Sequence, residues 1–299
     1  MIHIATVHWV DPRWIDIQIG AFRRHLRVPY RVYANLEGID DPAWDRRFEH
    51  STRSPGSHPD KLNALAGAIS EQAAPDDLLV FIDGDAFPVR PLDGWLQGLL
   101  ASAPLAAVRR DENLGDRQPH PCFCVTTARF WRELPGDWNA AAWTNSRGEE
   151  VRDNGGLLLA RLEEKGVVWT PILRSNRRNA HPILFGIYDG HIYHHGAGFR
   201  APATRADADP AARFDELEAV RRASLQSVRS VRPRHLRTVV RAARQRAVAA
   251  RQRRRFDVMR KESDRIYRHI VADDGFFRWF EAPAGSSPFS RRAARPDAS

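Results

Sequence analysis

Cysteine is nearly absent from this 299-residue chain: only Cys122 and Cys124 occur, in the run Pro121-Cys122-Phe123-Cys124-Val125. That excludes the disulfide framework that staples small secreted domains. No second Cys or His pair lies at zinc-site spacing, so the two thiols read as structural residues sharing one face of a strand. Long apolar runs are missing as well, and none approaches the roughly 20 residues needed to span a bilayer. Residues 1–7 reach Asp11 without the basic segment and long apolar core of a signal peptide, and read as a first β-strand. Together these absences point to the cytoplasm. No internal repeat is found.

Acidic residues are absent from one region. Residues 219–256 hold thirteen Arg and no Asp or Glu, while the whole chain has a formal net charge of +9. The rest of the chain is therefore slightly acidic, and the basicity belongs to an appendage. A nucleic-acid-binding role for the protein as a whole does not follow from it. Within that region Leu236, Val239, Val240, Ala243, Ala247 and Ala250 recur near helical spacing, with Arg on the other faces. Such a thin-faced basic helix suits packing on the body, plain solvation or contact with an anionic membrane. The later Phe276-Phe277-Arg278-Trp279-Phe280 cluster offers it a dock.

Strand and helix signals alternate through the first two hundred residues, as in an α/β sandwich. Strands are predicted at 2–7, 30–36, 78–82, 105–108 and 122–126, and helices at 12–26, 60–73 and 92–101. Residues 38–59, rich in charge, Pro, Ser and Gly, read as a mobile loop. Residues 134–147 read as a Trp-rich loop in which Trp138 and Trp143 either pack in the core or stack on a sugar. A boundary near 201–210 divides a catalytic domain (1–206) from an Arg-rich helical region (207–286) and a disordered tail (287–299).

The most pointed motif is Asp83-Gly84-Asp85 after the apolar run Leu78-Leu79-Val80-Phe81-Ile82. The run reads as a buried parallel strand, and ligands of open α/β sheets bind at the carboxyl ends of such strands. Two carboxylates there suit magnesium or manganese bridging to phosphates, or else a plain turn. A second segment runs from Ile183 to Tyr188, turns at Asp189-Gly190 and continues through His191-Ile192-Tyr193-His194-His195 to Arg200. It reads as a hairpin with a two-residue turn. Asp153-Asn154-Gly155-Gly156 precedes Leu157-Leu158-Leu159, so Asp153 reads as a helix cap or a first-turn residue.

The order Asp60-Lys61-Leu62, apolar strand, Asp-x-Asp and late His-containing hairpin resembles the GT-A nucleotide-sugar glycosyltransferases, especially the glycogenin-like and bacterial lipopolysaccharide galactosyltransferase-like group. The resemblance implies a GT-A (Rossmann-like) mixed sheet flanked by helices, with the basic helical extension at the C-terminus. It implies a metal held by Asp83, Asp85 and a His, either His194 or His195, with His194 and Arg200 fitting best. Lys61 and Arg200 are implied as contacts to the donor's phosphates or sugar, and Thr6 and His8 as neighbours of base and ribose. Asp153 is implied as the catalytic or sugar-contacting carboxylate. The activity implied is transfer of a sugar from a nucleoside-diphosphate sugar, a UDP-sugar being favoured, to a glycan or lipid-linked acceptor, near an anionic membrane if the tail recruits it.

Two other classes compete. A haloacid-dehalogenase-type phosphohydrolase also places Asp-x-Asp after an apolar strand, but normally earlier in the domain and with Thr or Val where this chain has Phe87. Its later acidic pair is also missing here. An Arg-rich membrane or nucleic-acid adaptor accounts for the basic region and leaves Asp83, Asp85 and the His segment without a purpose.

Overall fold

The computed structural model describes residues 1–113, 115–145, 148–181, 183–196 and 260–283. Arg200, the boundary at 206/207, the Arg-rich stretch 219–256 and the tail 287–299 lie outside the described residues. Strand β1 (Ile2–Val7) leads through a 3-10 turn into α1 (Ile15–His25), β2 (Tyr30–Asn35) and β3 (His50–Thr52). Then come α2 (His58–Ser70), β4 (Leu78–Asp83), β5 (Ala86–Pro88), α3 (Asp93–Leu100), β6 (Leu105–Val108), β7 (His120–Thr127) and α4 (Ala128–Glu133). Next follow β8 (Ala141–Thr144), β9 (Glu150–Asp153), α5 (Gly156–Glu164), β10 (Thr170–Ile172), β11 (Gly186–Tyr188) and β12 (Ile192–His194). Residues 260–272 form α6, and Arg278–Glu281 form the single turn α7. No described helix is long and apolar enough to cross a membrane.

The main sheet has seven strands in the order β10-β6-β7-β4-β1-β2-β3. β4 sits centrally, parallel to β1 on one side and antiparallel to β7 on the other. The mixed α/β sheet flanked by helices is thus present. Period-two alternation splits the core in two. Ile2, Ile4, Val80 and Ile82 join the cluster under α1 and α3, whereas Ala5, Val7, Leu79 and Phe81 join the one under α2, α4 and α5. Trp138 belongs to the second cluster. It is fully buried, with its ring 5.7 Å from Trp131 and 5.1 Å from Phe81, so core packing is its role.

Several sequence expectations are corrected. The predicted loop 38–59 contains a 3-10 turn and the edge strand β3, tied down where Asn35 donates to Thr52 Oγ1 and to the Ser54 carbonyl. The Trp-rich segment carries β8, paired with β9. The two cysteines do not share a face. The β6–β7 register shifts between Ala107 and Val108, so Cys122 falls in the α1/α3 cluster and Cys124 in the opposite one. The hairpin turn spans three residues, Asp189 to His191, with positive φ at Asp189 and Gly190.

A small sheet, β11-β12-β5, lies beside the large one. Its Phe87 and Tyr193 pack with Trp14 of the first turn and with Ile266, Ile270, Phe276 and Phe280 from the C-terminal segment. Residues 260–283 therefore close a third core on the same body that carries β1 and α1.

Candidate metal centre

β4 delivers Asp83 to the carboxyl edge of the sheet, and the turn Asp83-Gly84-Asp85 feeds directly into β5. β5 pairs antiparallel with β12, and His194 stands opposite Ala86. That pairing brings the imidazole to the turn. His194 Nε2 lies 3.4 Å from Asp83 Oδ2 and 3.5 Å from Asp85 Oδ1. One donor atom from each of the three residues falls within 4.8 Å of the others. On the solvent side His58 Nε2 is 3.1 Å from Asp83 Oδ1. Asp85 and His194 are buried, and Asp83 is nearly so.

Burial alone would raise both carboxyl pKa values. Instead His58 and His194 hold Asp83 well below the usual carboxylate range, and His194 holds Asp85 below it. Burial pushes against the imidazolium of His194, yet Cys122 and the two carboxylates beside it keep its pKa well above the ordinary value. Without a cation the His194 imidazolium thus lies against both ionised carboxylates, and a metal bound through Nε2 would displace its proton. Two oxygens and one imidazole nitrogen at this spacing fit a small divalent cation.

No protein-family model matches the chain, and no curated protein matches it. Among solved structures, S. aureus TarS (residues 1–349) is 7% identical, over 46% of this chain and 50% of that one, at a TM-score of 0.35. Mannosyltransferase PcManGT from Pyrobaculum calidifontis, in complex with GDP-Man and Mn2+, is 9% identical over 45% and 46%, at 0.35. Galactosyltransferase LgtC, in complex with donor and acceptor sugar analogues, is 11% identical over 44% and 59%, at 0.30. The chain spans about half the length of these structures, and its architecture stands on its own strand order.

Of the residues singled out from sequence, Asp83, Asp85 and His194 converge and His195 does not. A strand alternates faces, so the His195 ring turns away, its Nδ1 2.9 Å from the Tyr193 hydroxyl and its Nε2 2.7 Å from Ser263 Oγ on α6. Burial lowers its pKa to about 3, which keeps it neutral. Lys61 forms an ion pair with Glu37 and is almost wholly buried. Thr6 and His8 are fully buried, both bonded to the carboxamide oxygen of Gln18, so neither opens on a cleft for base or ribose.

Asp153 ends β9 and caps no helix; the cap of α5 is Gly155, at φ 82°. A Cβ on Gly155 would lie 2.1 Å from the Pro119 carbonyl oxygen, and one on Gly156 would lie 2.4 Å from that of Ala141. The two glycines let β8, α5 and the start of β7 abut. Asp153 consequently faces Arg110 at 3.5 Å, and Arg110 also pairs with Asp116 at 3.2 Å. His120 lies near both this group and the Asp83, Asp85 and His194 cluster, its ring 6.2 Å from that of His194. Burial and the nearby Arg110 hold the His120 pKa well below the ordinary value.

Sequence reasoning missed His58, Gln18, Arg110 and His120. Two left signals. Ser57 and Asp60 form a capping box, which sets His58 on the first turn of α2. Gln18 is the polar residue on the buried stripe of α1 that Ile15, Ile19 and Phe22 otherwise form.

Proposed function

We propose that this protein is a metal-dependent glycosyltransferase of GT-A type, moving a sugar from a nucleoside-diphosphate sugar to a glycan or lipid-linked acceptor. The observation that carries the reading is the Asp83, Asp85 and His194 triad at the carboxyl end of the central strand. A divalent cation bound there supplies Lewis-acid neutralisation of the charge that collects on the leaving diphosphate, an effect worth several kcal/mol. Asp83 and Asp85 hold it through oxygen and His194 through Nε2. His58 secures the outer oxygen of Asp83 on the solvent side.

Asp153 is the carboxylate that would meet a sugar or acceptor hydroxyl, a role supported by its 41% exposure beside Arg110. Thr6 and His8 support the site from beneath, and Lys61 reaches a donor phosphate only by exchanging Glu37 for it. Manganese is the preferred ion and uridine the preferred base. The cytoplasmic face of an anionic membrane is the proposed location, through the Arg of residues 219–256. Against the phosphohydrolase reading stands the composition of the cluster: among the described residues it is Asp83, Asp85 and His194, with no further carboxylate from the later acidic pair that reading needs.

Incubation with a panel of uridine- and guanosine-diphosphate sugars and manganese, without acceptor, tests the reading. Slow release of nucleoside diphosphate from one donor is expected, and Asp85→Asn should abolish it. Phosphate release from simple phosphomonoesters, with no action on any sugar nucleotide, would refute it.

A further inference from the structure

Gln18 lies on the core-facing stripe of α1 between Ile15, Ile19 and Phe22, and it is fully buried. A buried carboxamide left without partners is strongly destabilising, so its bonds matter. Gln18 uses its whole capacity of two donors and two acceptors. Nε2 donates to the carbonyl oxygens of Asp83 at 2.8 Å and Ala86 at 2.7 Å, one at each end of the turn that carries Asp85. Oε1 accepts from Thr6 Oγ1 at 3.2 Å and from His8 Nε2 at 3.1 Å. Those two donors on and just after β1 orient the amide, so its NH2 group must face the turn. From the other side the His195 N–H donates to the Asp85 carbonyl at 3.0 Å.

We infer that Gln18 is a positioning residue for the cation site: anchored to β1 through Thr6 and His8, it clamps both ends of the Asp83–Ala86 turn and so fixes where the two carboxylates point. The inference rests on the reading of Asp83, Asp85 and His194 as that site. Gln18 touches neither a carboxylate oxygen nor the His194 ring, so its effect passes through the backbone alone. A turn of four residues held at three carbonyls has little freedom to splay, and carboxylates that need not be ordered on binding lose less entropy when a cation arrives.

Two readouts test this on the full-length protein: the dissociation constant for Mn2+ by calorimetry, and amide hydrogen exchange of residues 84–86 without metal. Gln18→Glu keeps the shape and the acceptor to Thr6 and His8 while turning an oxygen on two carbonyl oxygens. Gln18→Leu removes all four bonds. Thr6→Val removes only one hydroxyl that orients the amide. The Gln18 variants should weaken Mn2+ binding at least tenfold and Thr6→Val two- to threefold, with faster exchange at 84–86 in each. Leu162→Ala, a core truncation under the opposite face of the sheet, should lower the melting temperature and leave the Mn2+ constant unchanged. Wild-type Mn2+ affinity and unchanged exchange at 84–86 in Thr6→Val and in either folded Gln18 variant would overturn the inference. If the wild-type protein binds no Mn2+, or Asp85→Asn binds it as well as wild type, the site reading itself fails. Faster exchange at 84–86 in the Gln18 variants would then still show the clamp on the turn.

Discussion

Phe280→Ala tests whether residues 260–283 belong to the same cooperative unit as the sheet. The ring is 1% exposed, with ring centres 4.7 Å from Trp279, 5.8 Å from Tyr193 and 6.4 Å from Phe276. Truncating a buried Phe to Ala costs about 3–5 kcal/mol, and the cost is highest where the surroundings cannot collapse. Tyr193 is held on β12 by the ladder to β5 and by the His195 contact, so it cannot follow the lost ring. The backbone carbonyl of Phe280 still accepts from Arg177 and Arg178, so the chain path should survive. A loss of about 4 kcal/mol is expected, a large share of the ~5–15 kcal/mol that stabilises a typical protein. Urea unfolding followed by near-ultraviolet circular dichroism should show a lower midpoint at unchanged slope. A loss under about 1 kcal/mol, in the range of ordinary surface changes, would mean that the segment lets go before the body unfolds. That result would refute the single-unit reasoning.

Three further outcomes follow from the same geometry. His194→Ala should weaken Mn2+ binding more than tenfold, whereas His195→Ala should leave it within threefold and lower the melting temperature, because it leaves Tyr193 and Ser263 without their shared partner; calorimetry and thermal melts separate the two, and the reverse ranking would move the ligand to His195. Gly155→Ala should destabilise by about 2–4 kcal/mol, from the left-handed φ and a Cβ driven into the Pro119 carbonyl, and an unaltered melt would contradict that packing. Burial favours a raised pKa for Asp77, but the N-terminal ammonium, His3 and the Ala74 N–H hold it at about 2, against 3.8 ordinarily. A lowered folded-state value gives stability that is present above about pH 4 and lost as pH falls towards 2. Solvent access to the pair limits it to about 1 kcal/mol, so Asp77→Asn should flatten denaturation midpoints across that window, and an unchanged pH dependence would count against the assignment.

Much of the sheet was legible because local chemistry and tertiary demand agree. The run Leu78 to Ile82 is apolar at every position since β4 is covered on both faces, and β6 falls where the short apolar stretch 105–108 put it. Edge and hairpin strands escaped detection. β3, β8 and β9 are three or four residues long and half-exposed, and β3 and β9 are rich in polar side chains, so their strand character comes from a neighbour's backbone and leaves little trace in composition. The cysteine faces were misassigned for a related reason: a bulge is an event between two strands, and neither sequence alone records it.

The amino-acid sequence by itself determined the two carboxylates, their place at the end of a buried strand, and two candidate histidines. The carboxylates and their place follow from apolar patterning and spacing along one chain, and the histidines from the family resemblance that the late hairpin segment carries. Only the tertiary structure set His194 rather than His195 beside the two carboxylates, because the β12–β5 register sets which of two alternating faces meets the turn. It alone revealed Gln18, His58 and Arg110, whose roles are contacts between residues far apart in the chain. It also moved Thr6, His8 and Lys61 from the open cleft into buried partnerships. A side chain's chemistry is written in its residue type, but what it can touch depends on burial, and burial is a property of the packed whole.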